Sequence, residues 1–434
     1  MSVRIFNLAA FVFLIQVLFS SCKKNEDFGS PIVTILKPSS GASFAVGDTF
    51  PIQIHISDSK QITAVGIRLL NSNYIPAGHG VSSTFSGNNT VINAQYVIDN
   101  VNLVSGNYYI AVTASNGHHE TNAYTLIHIN ELQKVRKAIY LISSANNFSC
   151  QVLKIDSLHQ PSISISIPGD YAASAIYSLG NTLFTIGKLT GNFNGYDLTS
   201  NALLFSKQSA ASSIPTFMNL FLENDVVYVS WYNGNIKGYN KTGTQKYEVQ
   251  QSGYFIPDAI LKNDQYFFGE LYYPTVHETR IGSFYLVSGA AKQERVIDMD
   301  LKNMFTLDNG HLLLFGNDTV SGQGKIEIYN ETGNGIIQLH TVPTGLLNNV
   351  VQVDNTHYFV AHSGGIYLYN YTLNGLTPFV TGFPVYSLTY DDLDQEIFAC
   401  SGNTVHVYNS STASFQYNIA NTDSVKDVRL LFSK

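Results

Sequence analysis

The chain has 434 residues, of which 44% are hydrophobic and only 13% are charged, against about 25% charged residues in an average soluble protein. Tyr, Val, Ile, Thr, Asn and Gly characterise the sequence, and because these residues favour strands and tight turns, the composition excludes a helical bundle. The formal net charge of −7 excludes the basic footprint expected of a nucleic-acid-binding protein.

The N-terminus has the features of an export signal. A short positive start precedes the apolar run Ile5–Phe19, whose fifteen residues are too few to span a bilayer, which needs about 20. We therefore interpret residues 1–21 as a signal peptide. The run ends in Leu18-Phe19-Ser20-Ser21-Cys22, which resembles the lipobox of bacterial lipoproteins, although Phe19 stands where Leu or Val is usual. The resemblance implies that Cys22 is lipidated and anchors the protein in a membrane.

Residues 22–30 are expected to form a tether behind the anchor. The charged stretch Lys23-Lys24-Asn25-Glu26-Asp27 resembles the export tag of surface lipoproteins of the Bacteroidetes. This resemblance implies an outer-membrane protein exposed at the cell surface. Retention on the periplasmic side of the outer membrane is the alternative.

Residues 31–130 show short alternating strands with turn signals every 8–12 residues, a spacing typical of a β-sandwich. The predicted strands are Ile32–Leu36, Phe50–Ile56, Ala64–Leu70, Val91–Ile98, Tyr108–Thr113 and Ala123–Ile129. The segment resembles the immunoglobulin-like spacer domains of Bacteroidetes surface lipoproteins, but it lacks the paired Cys and the core Trp of true immunoglobulin domains. The adjacent His118 and His119 would point to opposite faces of a strand, so a shared metal ion is not expected.

After a linker at residues 131–136, residues 137–434 contain a repeat. An apolar strand that ends in an aromatic residue followed by Asn or Asp recurs every 39 to 46 residues. The copies are Tyr196-Asp197, Tyr239-Asn240, Tyr329-Asn330, Tyr369-Asn370 and Tyr408-Asn409, with weaker copies at Ile155-Asp156 and Phe284-Tyr285. Four strands in about 42 residues, repeated about seven times, predict a seven-bladed β-propeller. The segment resembles the general WD-repeat and quinoprotein-like superfamily, without the signature of any subfamily.

The two ends of this domain predict how the ring closes. Ala138–Ile142 begins the first blade as its second strand, whereas Val425–Leu431 resembles a first strand and has no blade after it. We therefore expect Val425–Leu431 to complete the first blade. Cys150 and Cys400 are too few for a disulfide framework, and we expect them to be buried free thiols.

Propellers usually bind on the face formed by the loops that join blades and the loops between second and third strands. The candidate ligand-binding residues on that face are Trp231, Tyr232, Tyr272, Tyr273, His277, Tyr254 and Phe383, with Tyr171 and Tyr386 as further aromatic residues of blade-joining loops. Aromatic rings beside a few polar groups suit sugars or peptide side chains. The leading interpretation is a surface protein that binds a glycan or a protein partner, with no cofactor, no metal and no nucleic acid.

An extracellular propeller enzyme, a glycosidase or a polysaccharide lyase, is the alternative, and an assembly or scaffold protein facing the periplasm is a third. The candidate acidic residues are Glu270, Glu278, Asp298 and Asp318, the first two within a segment that we expect to be a long loop, Glu270–Gly282. Glycoside hydrolysis needs two carboxyl groups about 5–10 Å apart. Carboxylates that converge at the channel mouth with shifted pKa values would favour the enzyme, whereas aromatic rings without them would favour binding.

Overall fold

The computed structural model describes residues 29–146, 148–210, 214–249, 256–308 and 310–434, with only the backbone for residues 256–258 and 308. The chain divides into two compact units, Met1–Gln133 and Lys134–Lys434. No helix within the described ranges is long and apolar enough to cross a membrane. The predicted signal peptide, Cys22 and Tyr254 lie outside the described residues.

The described part of the first unit forms one connected set of strands. These are β1 (Ile32–Lys37), β2 (Ala42–Ala45), β3 (Thr49–Leu70), β4 (Pro76–Val97), β5 (Gly106–Ser115) and β6 (Glu120–Asn130). Their order is β1-β3-β5-β6-β2, with β4 also paired to β3. The first half of β3 pairs with β1 and its second half pairs with β5, so β3 turns the corner between the two layers of the sandwich.

The sandwich confirms the predicted fold class but differs in its strand boundaries. The strands expected at Phe50–Ile56 and Ala64–Leu70 are one continuous strand, and β2 had no prediction. The turn signal Gly87-Asn88-Asn89 lies inside β4, where the pairing with β3 shifts register. A β-bulge bends a strand without ending it, so polar and glycine residues at the corner resemble a turn in the sequence.

The described residues of the second unit form seven four-stranded sheets, the blades, numbered here in chain order with the innermost strand given first. The first blade is β34 (Ser424–Phe432), β7 (Arg136–Asn146), β8 (Ser149–Ile155) and β9 (Pro161–Pro168). The second is β10 (Ala173–Tyr177), β11 (Thr182–Ile186), β12 (Phe193–Asp197) and β13 (Leu203–Lys207), and the third is β14 (Phe217–Glu223), β15 (Val226–Trp231), β16 (Ile236–Tyr239) and β17 (Gln245–Val249). The fourth is β18 (Ile256–Lys262), β19 (Tyr266–Tyr273), β20 (Glu278–Tyr285) and β21 (Ala291–Ile297), and the fifth is β22 (Met299–Asp308), β23 (His311–Asp318), β24 (Gly324–Asn330) and β25 (Gly335–Thr341). The sixth is β26 (Leu347–Gln352), β27 (His357–His362), β28 (Gly365–Asn370) and β29 (Gly375–Thr381), and the seventh is β30 (Ser387–Asp391), β31 (Glu396–Ser401), β32 (Thr404–Asn409) and β33 (Phe415–Ala420).

The C-terminal strand closes the ring, as predicted. β34 pairs with β7 from Ser424 opposite Ser144 to Phe432 opposite Arg136. The innermost strand of each blade contacts that of the next blade, and β34 contacts both β30 and β10. The prediction of a seven-bladed propeller closed by its C-terminal strand is therefore confirmed.

The aromatic repeat has a structural explanation. Tyr329 and Tyr369 are buried between blades, and their hydroxyls donate to the Oδ1 atoms of Asn334 and Asn374 at 3.2 and 3.1 Å. Both Asn residues adopt a left-handed conformation, with φ of 46° and 45°, in the turn after the third strand. Asn tolerates this region better than most residues. These two copies thus pack a ring between blades and fix the turn that follows.

Cys150 and Cys400 are both buried and unpaired, as expected. Burial raises the pKa of the Cys150 thiol to about 12 and also raises that of Cys400. Because the thiolate is the reactive form, both cysteines are inert packing residues at neutral pH.

Candidate functional site

A cavity of about 710 Å³ lies where the innermost strands of all seven blades meet. We call it the central channel. Its lining includes four charged side chains: Lys302 of β22, and Lys426, Asp427 and Arg429 of β34. The volume falls within the range of about 300–1,000 Å³ that is typical of small-molecule sites.

Register shifts in the innermost strands bring polar residues to the channel. β22, β26 and β34 each shift near their start, between Leu301 and Asn303, between Leu347 and Asn349, and between Val425 and Asp427. A β-bulge adds one residue that leaves the alternation of the strand. The added residues are Lys302, Asn348 and Lys426, and all three line the channel.

Asp427, which is only 5% exposed, is the centre of a hydrogen-bond network on the channel wall. Five donors surround its carboxylate: Tyr171 Oη at 2.7 Å, Ser174 Oγ at 3.2 Å, Arg429 Nη2 at 2.5 Å, Ser387 Oγ at 3.3 Å and the backbone N–H of Val428 at 2.9 Å. These donors come from the first and seventh blades, from β10 and from the loop before β10. The carboxylate therefore joins three blades, and its oxygens are occupied by protein donors.

The charges in this network are fixed. Burial alone would lower the pKa of Arg429, but Asp427, Tyr171 and Cys400 together outweigh burial and the pKa is raised. Burial and the same carboxylate raise the pKa of Tyr171 well above its ordinary value. Arg429 therefore remains a cation and Tyr171 remains a hydrogen-bond donor at physiological pH.

Asn side chains from three blades add to the channel wall. The Oδ1 atom of Asn219 accepts the backbone N–H of Leu220 at 2.7 Å. The Oδ1 atoms of Asn303 and Asn349 accept backbone N–H groups of the next blade, at 2.8 and 3.0 Å. In all three residues the oxygen is used by the backbone, and Nδ2 of Asn349 also donates to Asn303 Oδ1 at 3.4 Å. The NH₂ groups of Asn219 and Asn303 are therefore the parts that can serve a ligand.

The predicted aromatic binding residues that the structure describes do not come together in the channel. Trp231 ends β15 and packs edge-on against Phe217, with ring centres 4.8 Å apart. Tyr232 follows it and is half-buried. Phe383, before the seventh blade, packs edge-on against His406 at 4.8 Å. Trp231 and Phe383 therefore fill contacts between strands and between blades.

The segment from Glu270 to Gly282 forms a hairpin, so the prediction of a long loop was wrong. β19 continues to Tyr273 and β20 begins at Glu278, which leaves a turn of residues 274–277. Tyr272 Oη lies 3.1 Å from His277 Nδ1 at this turn. Strong pairing between the strands places most of the segment inside the fourth blade.

Tyr273 belongs to a different polar group on the same hairpin. Its hydroxyl donates to Glu294 at 2.8 Å, and the guanidinium of Arg280 lies 4.5 Å from its ring centre. Burial and Glu294 raise the pKa of Tyr273 to about 12. Glu278 pairs with Arg280 at 2.7 Å, so this candidate acid is part of an ion pair.

Glu270 has a structural role that the sequence did not reveal. It is 3% exposed and accepts the backbone N–H of Leu301 at 2.8 Å and that of Ala259 at 3.4 Å. A buried carboxylate that accepts backbone N–H groups from β18 and β22 stabilises the contact between the fourth and fifth blades. The expectation that Glu270 lies in a long loop was wrong, because it lies within β19.

Asp298 and Asp318 do meet, around Lys325. The ammonium of Lys325 lies 2.5 Å from Asp298, 3.6 Å from Asp318 and 3.2 Å from Glu327. We call these four residues the Lys325 cluster. Glu327 is 3% exposed, and no described residue forms a hydrogen bond with its Oε2 atom. Burial raises the pKa of Glu327, although Lys325 opposes this effect.

A second acidic group, Asp391, Asp394 and Glu396, has the spacing of a possible metal site. The guanidinium of Arg136 binds all three carboxylates at 2.6 to 2.9 Å. Arg136 therefore supplies the positive charge that these carboxylates require, and the group is an ion-pair network.

Only part of the channel lining was predicted from the sequence. Tyr171 and Tyr386 line the channel, whereas Lys302, Lys426, Asp427 and Arg429 had no prediction. A signal was present: Asn219, Asn303, Asn349 and Asp427 are 84, 46 and 78 residues apart, close to two, one and two repeats. A polar residue at one position of successive innermost strands indicates a channel-lining position.

Comparison with known proteins identifies the fold of the N-terminal domain. Residues 31–123 match the family described as a bacterial Ig domain, Big_7. No curated protein sequence matches the chain.

Similar solved structures include a quinoprotein alcohol dehydrogenase-like protein from Bacteroides thetaiotaomicron, 11% identical, with a TM-score of 0.48 over 93% of this chain and 99% of that one. Sqt1 of Saccharomyces cerevisiae is 13% identical, with a TM-score of 0.46 over 68% of this chain and 90% of that one. Apo AztD from Citrobacter koseri is 10% identical, with a TM-score of 0.45 over 68% of this chain and 98% of that one. Similarity at this level carries no functional argument. The chain combines an N-terminal bacterial Ig domain with a seven-bladed β-propeller.

Proposed function

We propose that this protein is an exported binding protein that takes up part of a glycan in the central channel of its propeller. The observation that carries the proposal is the cavity of about 710 Å³ lined by all seven blades. A closed ring of paired strands holds its lining side chains in place before a ligand arrives, which reduces the entropy lost on binding.

The lining suits a polar ligand. Amide, hydroxyl, ammonium and guanidinium groups face the cavity, as the positions of Asn303, Ser174, Lys302 and Arg429 illustrate. Saccharides present many hydroxyl groups and are bound by such convergent polar side chains, with aromatic residues such as Tyr386 adding apolar contact. A protein segment that inserts a polar side chain is the remaining alternative for a binding protein.

Recognition is favoured over catalysis by the arrangement of carboxylates. Among the side chains that the structure describes, the channel lining includes one carboxylate, Asp427, and its oxygens are occupied by protein donors. Glu270 caps backbone groups and Glu278 pairs with Arg280. A glycosidase needs two carboxyl groups on either side of the bond that is cleaved.

One observation favours the enzyme as a second candidate. Asp298 and Asp318 converge on Lys325 beside Glu327, whose pKa is raised by burial. A carboxyl group that holds its proton more tightly than usual is suited to general-acid catalysis. These residues are not among those that line the central channel, so a substrate would have to bind elsewhere on the fifth blade.

The proposed location is the outer membrane, with a lipid anchor at Cys22 and exposure at the cell surface. The support is the lipobox-like Leu18–Cys22 segment and the charged stretch that follows it. Digestion of intact cells with a protease tests the orientation. A surface protein is cleaved without lysis, whereas a periplasm-facing scaffold is cleaved only after the outer membrane is opened.

A glycan and peptide array probed with the full chain, purified in detergent, tests the binding function. We expect retention on a limited set of glycans and not on peptides. Cleavage of a polysaccharide without stable retention would contradict the proposal and support the enzyme. Retention on peptides alone would replace the glycan with a protein partner.

A further inference from the structure

We propose that the glycan bound in the central channel is anionic, and that the channel binds a carboxylate or sulfate group of an acidic saccharide. This inference rests on the proposed function, because it names the ligand class of the same site. Three features carry it: the charge of the lining, the occupied state of Asp427, and the hydrogen-bond donors that the Asn residues present.

The channel is positive although the protein is negative. Its described lining includes three cationic side chains, Lys302, Lys426 and Arg429, against the single carboxylate of Asp427. Lys302 also pairs with Asp300 at 2.6 Å, and a net positive charge remains when that carboxylate is included. The whole chain has a formal net charge of −7. Positive charges gathered inside a cavity attract anions, because the low-dielectric walls of the cavity focus the electric field.

The carboxylate of Asp427 does not compete with an anionic ligand for the cations of the channel. Arg429 neutralises it at 2.5 Å, and the hydroxyls of Tyr171 and Ser174 donate to the same oxygen. An incoming anion therefore meets a carboxylate whose charge is already shared among protein donors. Lys426 differs from Arg429, because its side chain is exposed and its ammonium donates to Ser424 Oγ at 3.3 Å.

The Asn side chains of the lining favour ligand groups that accept hydrogen bonds. The oxygens of Asn219, Asn303 and Asn349 accept backbone N–H groups, which leaves the NH₂ groups of Asn219 and Asn303 for a ligand, whereas Nδ2 of Asn349 also donates to Asn303 Oδ1 at 3.4 Å. The Nδ2 atom of Asn348 is also used within the protein, since it donates to the carbonyl of Val385 at 2.7 Å. A wall rich in donors matches carboxylate and sulfate oxygens, which accept only, better than neutral hydroxyls, which also donate.

The two lysines lie on well-separated parts of the ring. Lys302 is the added bulge residue of β22 in the fifth blade, and Lys426 is the added bulge residue of β34 in the first blade. Three steps around a ring of seven blades separate them, the largest separation that the ring allows. An anionic group in the channel can therefore be contacted from both sides.

Calorimetric titration of the full chain in detergent tests this inference. The probes are an oligogalacturonate hexamer, the same hexamer with methyl-esterified carboxyls, a sulfated galacto-oligosaccharide and its unsulfated parent. We expect at least about ten-fold tighter binding of the charged member of one pair, because charge-assisted hydrogen bonds are about twice as strong as neutral ones. The pair that shows the difference identifies carboxylate or sulfate. The affinity of that ligand should fall as salt is raised.

Single variants locate the effect. Lys302→Met and Lys426→Met should each weaken binding of the charged probe about ten-fold and leave the melting temperature unchanged. Lys154→Met, which removes an exposed lysine on β8, is the matched control and should bind like the unmodified protein. If a channel variant fails to fold, the salt dependence of the unmodified protein still tests the inference.

Equal affinity for the charged and neutral members of both pairs, or tighter binding of the neutral ones, would overturn the inference and leave glycan binding intact. Charge-dependent binding that is independent of both lysines would also overturn it. Binding of no saccharide at all would instead contradict the proposed function.

Discussion

The guanidinium of Arg136 lies 2.6 Å from the carboxylate of Asp391, a residue with no solvent exposure. Arg136 is the first residue of β7 and Asp391 is the last residue of β30, so the ion pair joins the first and seventh blades. Burial lowers the pKa of Arg136, but Glu396 and Asp391 outweigh burial and the pKa is raised. This ion pair reinforces the joint at which the propeller ring closes.

Substitution of Arg136→Met should destabilise the propeller strongly. The change leaves Asp391 buried without its cation, and loss of one partner of a buried ion pair reduces the free energy of unfolding by about 3–5 kcal/mol. We expect a clear fall in the midpoint of thermal or denaturant-induced unfolding.

The nearby pair of Lys134 and Asp392 provides a matched control. Its atoms are 2.7 Å apart, but its side chains are 30% and 55% exposed. Exposed ion pairs contribute about 0–1 kcal/mol, so Lys134→Met should have a small effect. Similar destabilisation by both variants would show that burial of Asp391 does not determine the strength of the joint.

Removal of residues 424–434 should abolish cooperative unfolding of the propeller. The deletion removes β34, which supplies the innermost strand of the first blade and buried residues such as Val428 and Leu430. The edge of β7 would then lose its pairing partner, and Arg429 and Asp427 would leave the channel. Calorimetry of the truncated chain measures the effect. Deletion of Lys434 alone, beyond β34, is the control, and a truncated chain with the same transition as the full chain would contradict the closure argument.

The sequence predicted the architecture well because the blades repeat. The aromatic residues Tyr329, Tyr369 and Tyr408 recur at almost constant spacing, and each fills the same kind of contact between blades. Strand β34 was predictable for the same reason, since the first blade lacked an innermost strand. Periodicity constrains every copy at once, so a deviation in one blade does not hide the pattern.

The site was less predictable because its positions depend on bulges and long-range pairing. Lys302 and Lys426 enter the channel only because β22 and β34 shift register, which alternation in one strand does not reveal. The carboxylate of Glu270 accepts the backbone N–H of Leu301, which lies in another blade and 31 residues further along the chain. Trp231 was conspicuous as the single Trp, but it packs against Phe217. Residue type alone does not separate packing from binding in an aromatic-rich propeller.

Glu327→Gln should raise the stability of the propeller at high pH relative to the unmodified protein. Burial raises the folded-state pKa of Glu327 above its ordinary value of 4.5. The folded protein then holds this proton more tightly than the unfolded chain does. The protonated carboxyl group therefore stabilises the folded state at pH values below the ordinary pKa. This stabilisation is lost as pH rises through the raised folded-state pKa. Melting temperatures at pH 4 and pH 8 should show a more favourable effect of the variant at pH 8.

Asp318→Asn is the control of opposite sign. Hydrogen bonds from Ser321 lower the pKa of Asp318 to about 2, from an ordinary value of 3.8. Its ionised form stabilises the folded protein above the ordinary pKa, and this contribution is lost as pH falls through about 2. The Asn variant should therefore be less stable than the unmodified protein at pH 8, by an amount that shrinks as the pH falls from 3.8 to about 2. The same pH trend for both variants would show that the burial of Glu327 does not determine its proton affinity.

Cys22→Ser should release the protein from the membrane. A lipid chain contributes about 0.8 kcal/mol of membrane affinity for each buried CH₂ group, and Ser cannot form the thioether that attaches it. Fractionation of cells into membrane and soluble parts measures the change. Cys150→Ser is the control, because Cys150 is a buried thiol of the propeller and its loss should leave the protein with the membrane. Continued membrane association of the Cys22 variant would show that another part of the protein anchors it.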